Sequence, residues 1–440
     1  MYNSIQLPRE FSKLLFELLP NFTKPSFKHF NALILGILLG RPKKTVTAAV
    51  KISRLEEHFS NMNRFISKYV WDAWELGTAV LKLVIKVLNL SHDTLTIAVD
   101  STLLSKFGSK IFGCGFHFNS DHKKNKSKYI WGHEWLVMGL LYNSKLFDKR
   151  ICFPFLAQLF IPKKYQPANQ DYQSSIGIVV DMLRYMQSHI KQKIILVGDG
   201  YFAKRKLLKT CIELKIPLIS RLQSNAALYQ PLKKHISKKR GRPPLYGKRL
   251  PILTRSAKAT KGFSELTLKL YGKDRRVRVK RIDAVWKPAG QVIQILIVYY
   301  ANQKKPAFFF STDLSLSIED ILSRVAARWS LENIFKDLKE HLGWSHWQCR
   351  VEKAVRRSAT LTCSAASLLT LWSLSQASQR QPEFWDPMPW YTGKATPSMK
   401  DMIEQLRARI LDQSFNAITR HCRTTAEKER ALRDLIRIAA

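Results

Sequence analysis

Apolar residues recur at helical spacing through residues 1–92, and the pattern then changes to the shorter period of strands. Helices are predicted over four amphipathic stretches: 11–19, 30–39, 59–70 and 74–88. Basic turns such as Arg41-Pro42-Lys43-Lys44 separate these stretches. The pattern therefore predicts a helical N-terminal domain over residues 1–92, and it fits DNA binding and packing or dimerisation equally well.

Residues 93–223 alternate between strand and helix patterns and predict an α/β core. Three strands come first, and a helix, a strand, a helix and a strand follow, over 94–99, 111–118, 134–142, 174–192, 193–197, 203–215 and 216–222. The later units need right-handed crossovers onto a mixed sheet. This βββαβαβ order is that of a ribonuclease-H-like core.

The segment 224–313 interrupts this core with a β-rich, basic insertion. It opens with the run 233–249, which carries eight Lys or Arg and no acid, and strand patterns follow over 265–271, 276–281, 292–300 and 307–310. The core resumes over residues 314–375, where Ser317 and Asp320 predict a capping box at the start of a helix reaching Leu342. A second helix is predicted over 354–373, and a C-terminal helical tail covers residues 376–440.

The composition narrows the class of partner. The chain of 440 residues carries 73 Lys and Arg against 33 Asp and Glu, a formal net charge of +40. Such a charge indicates a polyanion, bound through phosphate contacts and counterion release. No apolar run approaches the roughly 20 residues of a transmembrane helix, and no signal peptide is recognised at the start. Six scattered cysteines favour reduced thiols in a cytoplasm.

Three acids occupy informative positions. Asp100 is predicted to end the first strand, Asp199 to end the strand after the first core helix, and Glu332 to lie on the late helix. Functional side chains gather at the carboxyl ends of strands in open α/β sheets. The first and fourth strands of this topology are neighbours, so Asp100 and Asp199 would face each other. Carboxylate oxygens suit Mg²⁺ or Mn²⁺, and two such ions support in-line phosphoryl transfer.

Each acid also has a purely structural interpretation. A single Asp after a strand is often a helix cap or turn residue, and Glu332 with Lys336 has the spacing of an ordinary helical ion pair. On the helix, Arg328, Glu332 and Lys339 fall within roughly a 40° arc. They would place an acid at a metal and cations at phosphates, or form a solvated ladder of ion pairs.

Together these residues resemble a known family. The chain is similar to DDE transposases of bacterial insertion sequences, in the insertion-sequence-four superfamily, whose signature is Y-x2-R-x3-E-x6-K. Arg328, Glu332 and Lys339 match its R, E and K, and Val325 stands where the family has Tyr. Asp100 in TIAVDST and Asp199 in LVGDGYF match the family's two Asp residues.

The resemblance implies a specific activity. It implies cleavage at the terminal inverted repeats of an element and strand transfer into target DNA, with Asp100, Asp199 and Glu332 holding two Mg²⁺ ions, for which Mn²⁺ can substitute. Arg328 and Lys339 would contact DNA in a homodimeric complex in the bacterial cytoplasm, at the nucleoid. Lys336, on the same helix, is a further predicted DNA contact. The alternatives are a catalytically decayed DNA-binding protein, which Val325 favours, and a ribonuclease-H-like nuclease without strand transfer.

Other features suggest further contacts with DNA. Arg240 and Arg242 lie in a run that resembles an AT-hook, which inserts arginine into a narrow minor groove. Two more basic sets are expected to contact phosphates, namely Arg276, Arg278 and Lys280 on one strand face and Lys123, Lys124, Lys126 and Lys128 in a turn. A zinc site at Cys114, His117, His122 and His133 is not favoured, because the spacing fits no structural zinc pattern. Base stacking by Trp135, Trp329, Trp344 or Trp347 competes with core packing, which is the default for most of them.

Overall fold

The computed structural model describes residues 5–53, 58–119, 127–232, 246–259, 261–301, 303–379, 394, 396–422 and 424–439. The helices are α1 Arg9–Phe16, α2 Lys24–Leu39, α3 Val46–Ser53, α4 Phe59–Ser67, α5 Ala73–Val87, α6 Ser175–His189, α7 Arg205–Glu213, α8 Leu253–Lys258, α9 Ile318–Glu340, α10 Glu352–Gln379, α11 Met399–His421 and α12 Thr425–Ala439. The strands are β1 Leu95–Ser105, β2 Gly115–Phe118, β3 Tyr129–Ser144, β4 Lys149–Phe160, β5 Ile194–Gly198, β6 Leu218–Arg221, β7 Leu228–Tyr229, β8 Ser264–Leu270, β9 Lys273–Trp286, β10 Gln291–Tyr300 and β11 Ala307–Ser311. None of these described helices is long and apolar enough to cross a membrane.

The chain forms two compact units, each built from segments that are distant in sequence. The first unit comprises 1–91, 101–173 and 333–440, and the second comprises 92–100 and 174–332. The predicted α/β class, with a mixed sheet and helical N- and C-terminal regions, is confirmed. The boundaries of the five predicted domains stay predictions.

The second unit is built on a sheet whose strand order is β1-β5-β6-β11-β10-β9-β7, with β8 beside β9. β5 runs parallel to both β1 and β6, whereas β11, β10 and β9 pair in antiparallel fashion. The β-rich insertion therefore extends the core sheet from β6 onwards. One apolar cluster packs β5, β6 and the insertion strands against the first turns of α9, through Ile321, Leu322 and Ala326. This packing fixes where the first turns of α9 lie relative to β5 and β6.

In the first unit, β3 lies between β2 and β1 in the strand order, and it also pairs with β4. The long helix α10 packs against β4 and against the N-terminal helices α1, α2, α4 and α5. Small side chains allow this close approach, and Ser367 Oγ donates to the Pro154 carbonyl at 2.8 Å. Arg357 on the same helix is buried and donates to the carbonyls of Phe65, Ile66, Tyr69 and Trp71.

Strand β4 has no counterpart among the predicted elements. Its sequence, KRICFPFLAQLF, contains Pro154 and lacks polar–apolar alternation, both of which argue against a strand. The structure accommodates Pro154 at a register shift, where Met138 pairs with Leu156 and Gly139 pairs with Pro154. Among the described strands β4 pairs only with β3, so it is an edge strand, where a residue without a backbone N–H is tolerated, and the bulge lies beside the proline.

Two other predicted elements differ in extent. The strand predicted over 111–118 is shorter, because β2 begins only at Gly115 and Gly113 has a φ of +72°, in the left-handed region. The described part of the C-terminal tail, predicted to be helical over 376–440, contains two helices beyond the end of α10, namely α11 and α12, which are separated near Cys422. All six cysteines are unpaired thiols.

Candidate active site

The three acids lie in the second unit, and two of them are joined by Arg328. Arg328 Nη1 donates to Asp100 Oδ2 at 2.5 Å, and its Nη2 donates to Glu332 Oε1 at 2.7 Å. The side chains of Arg328, Asp100 and Glu332 are 18, 16 and 32% exposed. Because one planar guanidinium reaches both acids, the two carboxylates converge on a single cationic centre.

The expectation that Asp100 ends its strand is wrong, because β1 continues to Ser105. Asp100 therefore lies in the middle of a long strand. The parallel register pairs Val99 with Gly198, so residues 100 and 199 follow directly after that pair. The predicted adjacency of the strands that carry Asp100 and Asp199 is confirmed. The physical reason for the longer strand is its continued burial, since Thr102 and Leu104 are both buried.

Asp199 has the capping role that the structural interpretation anticipated. It follows β5, and its Oδ1 accepts a hydrogen bond of 2.9 Å from the Tyr201 backbone N–H, at the start of a short 3₁₀ turn. Its carbonyl accepts a 2.6 Å hydrogen bond from the buried Ser220 Oγ. Tyr201 Oη and the buried Ser175 Oγ lie 2.5 Å apart. These contacts fix the backbone from which the Asp199 carboxylate projects.

Helix α9 begins as predicted. Ser317 Oγ accepts from the Asp320 backbone N–H at 3.0 Å. Arg324, one turn before Arg328, donates to Asp320 Oδ1 at 2.6 Å and to Thr96 Oγ1 at 3.3 Å. The hydrogen bond from Arg324 is the main reason that the pKa of Asp320 lies below its usual value. The sequence placed Arg324 on this helix but gave no sign of its bond to β1.

Val325 packs against the apolar cluster of the second unit and is half-buried. The residue at the position of the signature tyrosine thus contributes to the core between α9 and the insertion strands. The apolar stripe predicted along α9 is also confirmed, because all of its members are buried: Leu331, Ile334, Phe335, Leu338 and Leu342.

The two predicted DNA-contacting lysines of α9 belong to the first unit. Lys336 is exposed, and its Nζ lies 3.9 Å from Glu340 rather than forming the Glu332 pair that was considered. Lys339 lines a groove together with Lys106 and Lys110. The predicted minor-groove residues Arg240 and Arg242 lie outside the described residues, as do Lys123, Lys124 and Lys126.

The remaining candidates divide between the surface and the core. On β9, Arg276 and Arg278 are exposed and alternate with buried valines, as predicted. The Arg278 guanidinium lies over the rings of Phe263 and Tyr299. Three of the four tryptophans are buried, namely Trp135, Trp344 and Trp347. The fourth, Trp329, is half exposed.

The histidines considered for zinc make separate hydrogen bonds. His133 Nε2 donates to the Phe112 carbonyl at 2.9 Å, and His117 Nδ1 donates to Glu134 at 3.1 Å. Within the part of the chain that the structure describes, no group of three or more His, Cys, Asp or Glu side chains is arranged to hold a metal ion. The oxygen donors in this region are the carboxylates of Asp100 and Glu332, both bonded to Arg328, and that of Asp199 after the adjacent strand. Their hard oxygen atoms fit Mg²⁺ or Mn²⁺ chemically.

Comparison with protein families gives a match over the N-terminal and central parts of the chain. A family model described as DDE superfamily endonuclease matches residues 17–282, which is more than half of the chain. The matched region contains Asp100 and Asp199 and ends before Glu332. No curated protein matches the chain.

Proposed function

Because the chain belongs to the DDE superfamily of endonucleases, we propose that it is a transposase of a bacterial insertion sequence. It cleaves DNA at the terminal inverted repeats of its element and joins the resulting 3′-hydroxyl to target DNA. The family supports DNA cleavage of the nuclease or transposase type. The assignment to transposition depends on the spacing of Arg328, Glu332 and Lys339, which matches the insertion-sequence-four signature.

One observation carries the proposal. The guanidinium of Arg328 joins Asp100 on β1 to Glu332 on α9, residues that lie far apart in sequence. Asp199 follows the neighbouring parallel strand at the matching register. Carboxylates that converge on one cation form an arrangement suited to holding cations beside a phosphodiester. Such an arrangement also fits the excess of positive charge elsewhere in the chain, because the DNA backbone is a polyanion.

The residues of the chain have distinct roles in this proposal. Superfamily members generally use divalent metals, and bound Mg²⁺ would activate the attacking oxygen and stabilise the leaving one. Asp100, Asp199 and Glu332 would hold these ions. Arg328 keeps two of the carboxylates oriented and offers its charge to the phosphate. Ser220, which donates to the Asp199 carbonyl, and Tyr201, which meets Ser175, are positioning residues.

The partners follow from the chemistry of transposition. The substrates are double-stranded DNA carrying the element's ends and target DNA, and two protomers bring two ends together in a homodimer. Lys336, Lys339, Arg240 and Arg242 would contribute contacts with DNA. A nuclease that does not join strands would use the same acids, so only the products of the reaction separate it from a transposase.

The test uses DNA that carries the inverted repeats flanking the gene, incubated with the full-length protein and Mg²⁺. Asp199→Asn is the informative variant, because the Asn side-chain oxygen can still cap the Tyr201 N–H while the carboxylate charge is lost. Glu332→Gln likewise retains an acceptor for Arg328. We expect at least a 100-fold loss of cleavage in either variant, and we expect joined product only with the wild type.

The matched control is Asp181→Asn, which removes the same charge from an exposed position on α6 in the same unit. Its cleavage should equal that of the wild type. Cleavage without joined product would replace the transposase by a nuclease. Tight DNA binding with no cleavage by the wild type would favour a decayed transposase, and Val325→Tyr would then test whether the signature tyrosine restores activity.

A further inference from the structure

A large basic groove lies within the first unit, and its lining includes none of Asp100, Asp199, Arg328 and Glu332. Its volume is about 960 Å³, and it is bounded by the segment that continues β1 and by the segment that follows α9. Its lining carries five cationic residues, namely Lys43, Lys106, Lys110, Lys339 and Arg350. No Asp or Glu is present among its described lining residues. Such a surface favours a polyanion over a protein or small neutral ligand.

An aromatic side chain projects from this cationic lining. Phe107 is 92% exposed, although its neighbour Lys106 is buried. Leaving a phenylalanine in water forgoes the stabilisation that burial of its ring would give. A single exposed apolar residue is common on protein surfaces, so exposure alone does not establish a role. The backbone around Phe107 provides the second observation.

The segment that carries Phe107 is anchored on both sides. Lys106 Nζ donates to the carbonyls of Ser345 and Trp347 at 3.1 and 2.9 Å, and its backbone N–H donates to Trp131. On the other side, Trp131 Nε1 donates to the Gly108 carbonyl at 3.3 Å. Gly108 has a φ of +106°, a conformation that favours glycine. The loop therefore holds an exposed aromatic ring on a fixed backbone inside a cationic groove.

We propose that this groove binds one strand of the DNA substrate, with Phe107 stacking on an unpaired base and the exposed cations Lys43, Lys110 and Arg350 contacting the flanking phosphates. The inference rests on the proposed function for the identity of the polymer. Lys and Arg bind the phosphates of any sequence, and aromatic rings stack on any base. A duplex keeps its bases stacked within the helix, so the ring requires a single-stranded or frayed end. A membrane surface is disfavoured, because Phe107 is the single exposed large apolar side chain among the described residues that line the groove.

The test measures binding by fluorescence anisotropy with the full-length protein in EDTA, so that cleavage does not interfere. One probe is a blunt duplex, and the other is the same duplex with a single-stranded 3′ overhang that contains 2-aminopurine. We expect Phe107→Ala to weaken binding of the overhang probe by roughly 10-fold and binding of the blunt duplex less than twofold. Phe107→Trp should retain binding and quench 2-aminopurine.

Two further variants separate stacking from charge. Lys110→Ala should weaken binding of both probes and lower the slope of log K against log salt by roughly 0.9, the value for one duplex phosphate. Phe107→Ala should leave that slope unchanged. Phe415→Ala removes a half-exposed ring from α11, outside the groove lining, and should have no effect.

Two results would overturn the inference. Equal binding of the overhang probe by Phe107→Ala and the wild type would exclude stacking. An unchanged salt slope in Lys110→Ala would exclude the groove as the phosphate site. Failure of the proposed function gives a different pattern: if the wild type does not cleave DNA but Phe107→Ala still loses overhang binding selectively, the groove binds DNA in a protein that is not a nuclease.

Discussion

Replacing Arg328 by methionine tests whether this residue holds the two acids together. Methionine has a similar length and leaves Asp100 and Glu332 without their shared donor. Each charge-assisted hydrogen bond contributes about 1.5–3 kcal/mol. The bonds of 2.5 and 2.7 Å involve side chains that are at most 32% exposed. Partial hydration of Glu332 offsets part of the loss, so we expect the free energy of unfolding to fall by about 2–4 kcal/mol.

Arg324→Met is the matched control for this substitution. Arg324 lies one turn earlier on α9 and donates to one carboxylate, Asp320, whose side chain is 46% exposed. An exposed pair of this kind contributes about 1 kcal/mol or less. Urea unfolding of both variants without metal measures the difference directly. Loss of the Arg324 donor should also raise the pKa of Asp320 towards its usual value, which NMR titration would detect.

Arg328→Met also leads to a prediction about metal binding. In the wild type a cation at the acids competes with Arg328 for Asp100 and Glu332. In Arg328→Met the two carboxylates repel each other, so we expect Mg²⁺ to raise the melting temperature of Arg328→Met more than that of the wild type. The reasoning is refuted if Arg328→Met is no less stable than Arg324→Met. It is refuted equally if Mg²⁺ shifts the melting temperatures of wild type and variant by the same amount.

Three further substitutions test other parts of the structure. Arg357→Met should lower the free energy of unfolding by about 3 kcal/mol in urea titrations, because the carbonyls of Phe65, Ile66, Tyr69 and Trp71 lose a buried donor. Burial lowers the pKa of His133 from 6.5 to about 4, so the folded state favours the neutral ring. Above pH 6.5 the neutral His133 ring makes its full contribution to the free energy of unfolding. This contribution falls by about 3 kcal/mol at most as the pH decreases towards 4. His133→Gln should flatten that pH dependence. Val325→Tyr should lower stability by about 1–2 kcal/mol, because the larger ring must fit against the packed cluster; no loss of stability in urea would show that this position has room for the signature residue.

The sequence by itself determined the class of fold and the local features of the site. Periodicity is a local property, so it gave the α/β order, the buried stripe of α9 and the capping contact of Ser317 with Asp320. The separation of four residues between Arg328 and Glu332 places them on one helix face in any α-helix. Their hydrogen bond could therefore have been predicted, although Arg328 was assigned to DNA instead. The predicted adjacency of β1 and β5 followed from the topology.

Only the tertiary structure decided which distant groups meet. The bond between Asp100 and Arg328 depends on the register of β1 and on how α9 packs against the cluster of the second unit, and no local pattern encodes either. The same holds for Pro154, whose place in β4 depends on that strand pairing with β3 alone among the described strands and on the register shift beside it. It also holds for Phe107, whose anchored, exposed position depends on Lys106 reaching the carbonyls of a segment more than 200 residues away. Side-chain periodicity fixes a face of a helix or strand, whereas long-range packing decides what that face meets.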